Sequence, residues 1–163
     1  MYNFNILKHY NIGDTMNLEH IMNKDLICKD ISTNVDEISK TMKENDIGII
    51  IIKENSNIVG VLTDRDIVTK IISNNDTKIE SYITKNLITV DKNENPTNVL
   101  NLMKKHKIKR ILVTDNNKIV GIISLSDILK YVDSNELKEA MLEIWEINKN
   151  IDKYITKIDD FKL

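Results

Sequence analysis

Gly60-Val61-Leu62-Thr63-Asp64-Arg65-Asp66 and its echo, Gly121-Ile122-Ile123-Ser124-Leu125-Ser126-Asp127, decide how this chain is read. Each follows an Ile-Val pair, Ile58-Val59 or Ile119-Val120, and each reads as the end of an apolar strand turning sharply into a helix. Glycine suits such a junction because it lacks a Cβ and lets other backbone approach closely. A hydroxyl, Thr63 or Ser124, stands three residues before a carboxylate, Asp66 or Asp127. Taken once, that spacing is a capping box, which satisfies orphan N–H groups at a helix start. Its recurrence behind the same strand end points to a second role. A helix start favours an anion through its N–H donors and dipole. An ionised acid in the first turn accepts hydrogen bonds from neutral hydroxyls, such as those of a ribose.

Working outward, the pattern around the first copy repeats without a gap about 61 residues later. Leu26-Ile27 matches Leu87-Ile88, Asp30 matches Asp91, Met42 matches Met103 and Ile47 matches Ile108. Asn55 matches Asn116 and Asp66-Ile67 matches Asp127-Ile128. In the first copy, Leu26-Ile27-Cys28 reads as a short strand. Ser32, Thr33 and Asn34 offer N-caps for a helix to about Asn45, with Val35, Ile38 and Met42 on one face. Ile47–Ile52 is a fully apolar strand, as in a sheet covered on both faces. Residues 53–57 form a turn, Ile58–Leu62 the returning strand, and a helix runs from Asp64 to about Ile72. The expected architecture is α/β in the mixed α+β sense: two tandem β-α-β-β-α repeats related by pseudo-twofold symmetry, plus a long C-terminal helix. Its divisions are residues 1–15, an N-terminal arm; 16–75, repeat one; 76–133, repeat two; and 134–163, the terminal helix. Asn17–Met22 reads as a short lead-in helix.

The Asn-rich arm fits a loose segment, an added strand or helix, or a translation artefact with Met16 as the natural start. From Ser134 the pattern becomes a heptad seam, with Leu137, Ile144, Ile151 and Ile158 recurring every seventh residue and Ala140, Ile147, Tyr154 and Phe161 in the companion positions. Met141, Trp145 and Ile155 widen the apolar face. The stripe must be buried, as a coiled coil, along the chain's own core or on a partner subunit, and a homodimer is the expectation.

Composition bounds the function. The chain has 163 residues, a net charge of −2 and 5% aromatic residues. A near-neutral charge and scarce aromatics argue against nucleic-acid binding. The basic run from Lys104 to Arg110 reads first as a solvated helix C-terminus. The lone Cys28 forms no intramolecular disulfide and fits a reducing cytoplasm. No apolar run reaches the roughly 20 residues that span a bilayer, so no membrane partner is expected. His9, His20 and His106 are scattered and join no Cys cluster, so no metal site is expected. Nothing supplies an activated nucleophile or an acid–base pair, so the chain is not expected to be an enzyme.

The duplicated unit resembles the cystathionine β-synthase (CBS) domain, present as a tandem pair over about residues 19–133. The residues that carry the resemblance are Ile47-Gly48 with the Ile49–Ile52 strand, then Ile58 to Asp66. In the second copy they are Lys109-Arg110-Ile111-Leu112-Val113 and Ile119 to Asp127. The resemblance implies a regulatory module that binds an adenosine-containing ligand (AMP, ADP, ATP or S-adenosylmethionine) in clefts between repeats. It requires no cofactor and admits Mg2+ beside the ligand. It implies ribose contacts for Asp66 and Asp127 and phosphate or ribose contacts for Thr63 and Ser124. Arg65 and Arg110 are candidate phosphate contacts. The Asp66 cleft is expected to be completed by Ile88, Thr89, Arg110, Ile111 and Leu112. The Asp127 cleft is expected to be completed by Ile27, Cys28 and Ile49–Ile51, including Ile50. Departures are Leu112 and Ile51 where many members have Pro, Cys28 in place of a Thr that Thr89 retains, and Leu125-Ser126 in place of the more polar Asp64-Arg65. They favour the Asp66 cleft as the better nucleotide site. The signal would pass through a dimer to an unknown downstream protein. The alternatives are a dimerising scaffold with vestigial clefts and a redox- or metal-responsive adaptor using Cys28.

Overall fold

A computed structural model describes residues 17–146, the side chains of Trp145 and Glu146 excepted. The N-terminal arm and the seam positions Ile147, Ile151, Tyr154, Ile155, Ile158 and Phe161 lie outside the described residues, as does the Trp145 side chain. The chain divides into two compact units. One is Asn23–Thr89; the other joins the stretch ending at Met22 to the chain from Val90 onward.

In the Asn23–Thr89 unit, β1 (Cys28–Asp30), α1 (Val35–Glu44), β2 (Ile49–Glu54) and β3 (Asn57–Thr63) follow in order. β1 lies parallel to β2, and β3 returns antiparallel, giving the sheet order β1-β2-β3. Asn34 caps α1 by accepting from the Glu37 N–H at 2.9 Å. The helix ends at a left-handed Asp46 (φ 51°), after which the Ile47 N–H reaches back to the Met42 carbonyl at 3.0 Å. Asn55 and Ser56 both take positive φ (48° and 67°), the two-residue turn that matches strand twist in a hairpin. Ile50, Ile51 and Ile52 are all buried, so both faces of β2 are covered, as its unbroken apolar run requires. Ile50 and Ile52 pack with Val35, Ile38, Met42, Leu62, Ile67, Ile71, Ile79 and Ile83 in one core. Full burial of each such side chain is worth about 1.5–3 kcal/mol.

The helix after β3 differs from a plain α-helix. α2 (Asp64–Asp66) continues as a π turn over Ile67–Ile71 and a 3₁₀ turn over Ile72–Asn74. Of its two apolar i, i+4 pairs, Ile67 and Ile71 are buried while Val68 and Ile72 are exposed. β1 also begins two residues later than the apolar pattern suggests. Apolar Leu26 and Ile27 precede the ladder, and edge residues Cys28, Lys29 and Asp30 pair with β2.

The segment after the first repeat closes this unit. Val61 and Thr84 bridge antiparallel, with Val61 N to Thr84 O at 3.1 Å and Thr84 N to Val61 O at 2.9 Å. A Cβ on Gly60 would sit 2.7 Å from the Thr84 carbonyl oxygen. The glycine is therefore needed for this crossing segment, not for the strand-to-helix junction that the sequence suggested.

The other unit repeats the plan with β4 (Thr89–Asp91), α3 (Pro96–His106), β5 (Arg110–Asp115), β6 (Lys118–Ser124) and α4 (Leu125–Ile128). Its sheet order is β4-β5-β6. Pro96 opens α3, where its missing N–H costs nothing. Lys107 ends α3 in the left-handed conformation (φ 55°), and Asn116-Asn117 turn the hairpin with φ of 48° and 62°. Leu18, at a single 3₁₀ turn (Leu18–His20), is fully buried, and Asn17 bonds Asn93 at 2.9 Å. α5 (Ser134–Glu146) packs on α3. Ala140 and Ile144 are buried, and Lys104 pairs with Glu143 at 3.2 Å. In the described part of the heptad stripe, Ala140 and Ile144 are buried and Leu137 and Met141 are half-buried, with α5 packed on α3 of the same chain.

Candidate functional site

Each unit carries the same small construction at the end of its third strand. In the first, the Thr63 hydroxyl oxygen accepts from the Asp66 N–H at 3.1 Å, while Asp66 Oδ2 accepts from the Thr63 N–H at 3.2 Å. The Thr63 hydroxyl also donates to Asp66 Oδ2 at 2.6 Å. In the second, Asp127 Oδ2 accepts from the Ser124 N–H at 2.7 Å and from the Ser124 hydroxyl at 2.6 Å. Ser124 Oγ and Ser126 Oγ share a hydrogen bond of 2.7 Å. The residue just before the first strand of each hairpin pins the start of the helix: the Asp64 N–H bonds the Gly48 carbonyl at 3.3 Å, and the Leu125 N–H bonds the Lys109 carbonyl at 2.8 Å. Capping is therefore real in both units, and the carboxylates are oriented as part of it.

The two boxes differ in their surroundings. Asp66 Oδ1 is paired with Lys70 Nζ at 2.5 Å, and the Asp66 side chain is 13% exposed. Burial works against the charged carboxylate, but the hydrogen bonds from Lys70 and Thr63 outweigh it and hold Asp66 below the ordinary carboxylate value. Asp127 is exposed, with no ion pair among the described residues. Ile49 lies across from Thr63 in the first sheet, whereas Arg110 lies across from Ser124 in the second. Arg110 is exposed. It thus flanks the Ser124–Asp127 box of its own unit.

The other sequence candidates are placed as follows. Arg65 is exposed, one residue before Asp66. Ile27 is half-buried and its carbonyl accepts from the Ile51 N–H at 3.1 Å. Cys28 is a half-buried free thiol, aligned with Ile51 in the parallel ladder. Ile49 and Ile88 are half-buried, and Thr89 is exposed at the start of β4. Ile50, Ile111 and Leu112 have buried side chains, so they belong to the packed interior and have only backbone to offer a ligand. Lys70 was missed by the sequence reading. The acid-to-lysine i, i+4 spacing was the signal that could have found it. Among the described residues, no group of three or more His, Cys, Asp or Glu side chains converges as a metal site would require. No described helix is long and apolar enough to cross a membrane.

Known proteins resemble this chain in sequence and fold. The CBS domain family profile matches residues 18–73 and 79–134. The uncharacterized protein YlbB of Bacillus subtilis is 32% identical over 124 residues, covering 73% of this chain and 84% of YlbB. A crystal structure of an uncharacterized conserved protein from Pyrococcus horikoshii matches with TM-score 0.66 and 37% identity, covering 71% of this chain and 91% of that one. The CBS domain pair of protein MJ0100, solved in complex with 5′-methylthioadenosine and S-adenosyl-L-methionine, matches with TM-score 0.65 and 27% identity, covering 71% of this chain and 94% of that one.

Proposed function

Because this chain belongs to the CBS-domain family and carries two such domains in tandem, we propose that it is a regulatory module that binds an adenosine-containing ligand. The observation that carries this reading is the carboxylate geometry built twice: each acid has one oxygen, Oδ2, fixed by its own strand end, and its Oδ1 takes no part in that cap. A carboxylate pre-oriented in this way accepts hydrogen bonds from the adjacent hydroxyls of a ribose through its remaining acceptor positions. Asp66 and Asp127 take the ribose, and Thr63 and Ser124 orient them. Arg110, beside Ser124, supplies a fork for phosphate. The ligands of the MJ0100 pair, 5′-methylthioadenosine and S-adenosyl-L-methionine, support the adenosine class. The chain acts in the cytoplasm, and signalling runs through rearrangement of a dimer to a downstream protein; this requires that the ligand prefer one arrangement over another.

A second reading is a dimerising scaffold. The exposed apolar side chains Val68, Ile72 and Leu142, at 61, 56 and 60%, favour it. Thermal-shift measurement against AMP, ADP, ATP, S-adenosylmethionine and cyclic dinucleotides separates the two. The sensor reading expects a rise with at least one adenosine compound, lost in the Asp66→Ala/Asp127→Ala protein. No shift with any of them leaves the scaffold.

A further inference from the structure

Counting lone pairs on the two carboxylates separates them. An ionised carboxylate has about two acceptor positions on each oxygen. On Asp66, Oδ2 is filled by the Thr63 N–H and hydroxyl, and Oδ1 already holds the Lys70 ammonium. One position is left, whereas a ribose diol needs two. On Asp127, Oδ2 is filled in the same way by Ser124, and Oδ1 holds no hydrogen bond or ion pair among the described residues. The difference has a structural origin. After Asp66 the chain keeps winding through the π turn to Asn74, which sets Lys70 one turn beyond the acid. After Asp127 helix α4 stops at Ile128, and the corresponding residue is Tyr131, whose N–H bonds the Ile128 carbonyl at 2.9 Å in a turn.

We propose that Lys70 is a latch on the first carboxylate, so that Asp127 takes a ribose first and Asp66 takes one only when Lys70 is displaced. This rests on the ribose-binding reading above, and it reverses the sequence-based preference for the Asp66 site. Lys70 is a specificity-determining residue here: it sets the order in which the boxes fill and makes one of them sensitive to ionic strength. Its own side chain is 51% exposed, so its ammonium stays hydrated when it swings away, and the ribose hydroxyls take its place on the 13% exposed carboxylate.

The test is isothermal titration with adenosine, a neutral probe whose own charge adds no salt dependence. Wild type is expected to show a tighter site lost in Asp127→Ala and a weaker site lost in Asp66→Ala. In the Asp127→Ala background, Lys70→Gln is expected to tighten the remaining site by about fivefold, the upper end for a partly exposed ion pair. Lys70→Arg, which keeps the cation, is expected to leave it weak. Raising salt from low to physiological strength screens the latch and is expected to tighten the Asp66 site in the protein that keeps Lys70 but not in Lys70→Gln. An Asp66 site whose affinity and salt response are unchanged by Lys70→Gln overturns the latch, as does loss of the tighter site in Asp66→Ala. If neither wild type nor Lys70→Gln takes up adenosine or any other adenosine compound, the ribose reading itself has failed, a result distinct from an intact site that ignores Lys70.

Discussion

Gly60→Ala tests how the first unit is closed. The new Cβ would lie 2.7 Å from the Thr84 carbonyl oxygen, 3.2 Å from its carbon and 3.4 Å from Ile83 Cγ2. Ordinary contact begins near 3.4 Å, so the carbonyl must retreat about 0.7 Å. Thr84 is held by its reciprocal bonds with Val61 at 3.1 and 2.9 Å, and such a retreat stretches the first past useful length. Losing one or two net backbone hydrogen bonds at about 0.5–1.5 kcal/mol each, with some overpacking against the buried Ile83, comes to about 2–3 kcal/mol. Alanine recovers about 0.4–1 kcal/mol by restricting the unfolded chain. The net expectation is a loss of about 2 kcal/mol, or about 4–8 °C in Tm for a chain of this size. Denaturant titration measures the loss. Hydrogen exchange locates it, because the Val61 and Thr84 amides should exchange faster while those of α3 do not. A Gly60→Ala protein as stable as wild type, with both amides still slow, would refute the claim that the segment after the first repeat is seated on β3 through this glycine.

Two further outcomes follow from the same geometry. The folded-state pKa of Asp66 is depressed, so its interactions stabilise the protein fully above the ordinary aspartate value of 3.8, and that contribution is lost as pH falls through the depressed one. Asp66→Asn should therefore flatten the fall in stability below about pH 4, read by denaturant midpoints across an acid series; an unchanged slope would show that the Lys70 and Thr63 bonds contribute nothing. Lys107 ends α3 at φ 55°, a conformation that costs a side chain about 1–2 kcal/mol and glycine little. Lys107→Gly should raise stability by about 0.5–1 kcal/mol after glycine's own entropic cost, whereas destabilisation would mean that Lys107 makes a contact outweighing its strain.

Much of the architecture could be read before any coordinates because duplication makes each local signal appear twice. The apolar run Ile49–Ile52, the N-cap Asn34 and the Asn55 and Asn116 turns each state a local preference that the tertiary structure keeps. The start of β1 was misplaced because apolar character reports burial, while strand bounds report hydrogen bonding. Leu26 and Ile27 pack, but the edge ladder is made by Cys28, Lys29 and Asp30. The π winding over Ile67–Ile71 left no periodic trace, since apolar residues sit on both sides of that helix. The role of Gly60 was right in kind and wrong in partner, because the approaching backbone comes from 24 residues further along the chain. At the site, the hydroxyl–carboxylate pairs were legible from spacing alone. The inequality between them was not, since it depends on where each helix stops. The register that sets Arg110 across from Ser124 within its own sheet was not legible from spacing either.

The most direct test of the central claim, that Asp66 and Asp127 hold a ribose, changes the ligand and the protein together. AMP and 2′,3′-dideoxy-AMP are titrated into wild type and the Asp66→Ala/Asp127→Ala protein. Hydrogen bonds to a charged group are worth about 1.5–3 kcal/mol, so removing the hydroxyls should weaken binding to wild type by about tenfold or more. The same removal should change binding to the double variant little, because the partner is already gone. Equal sensitivity to the hydroxyls with and without the two carboxylates would contradict the account.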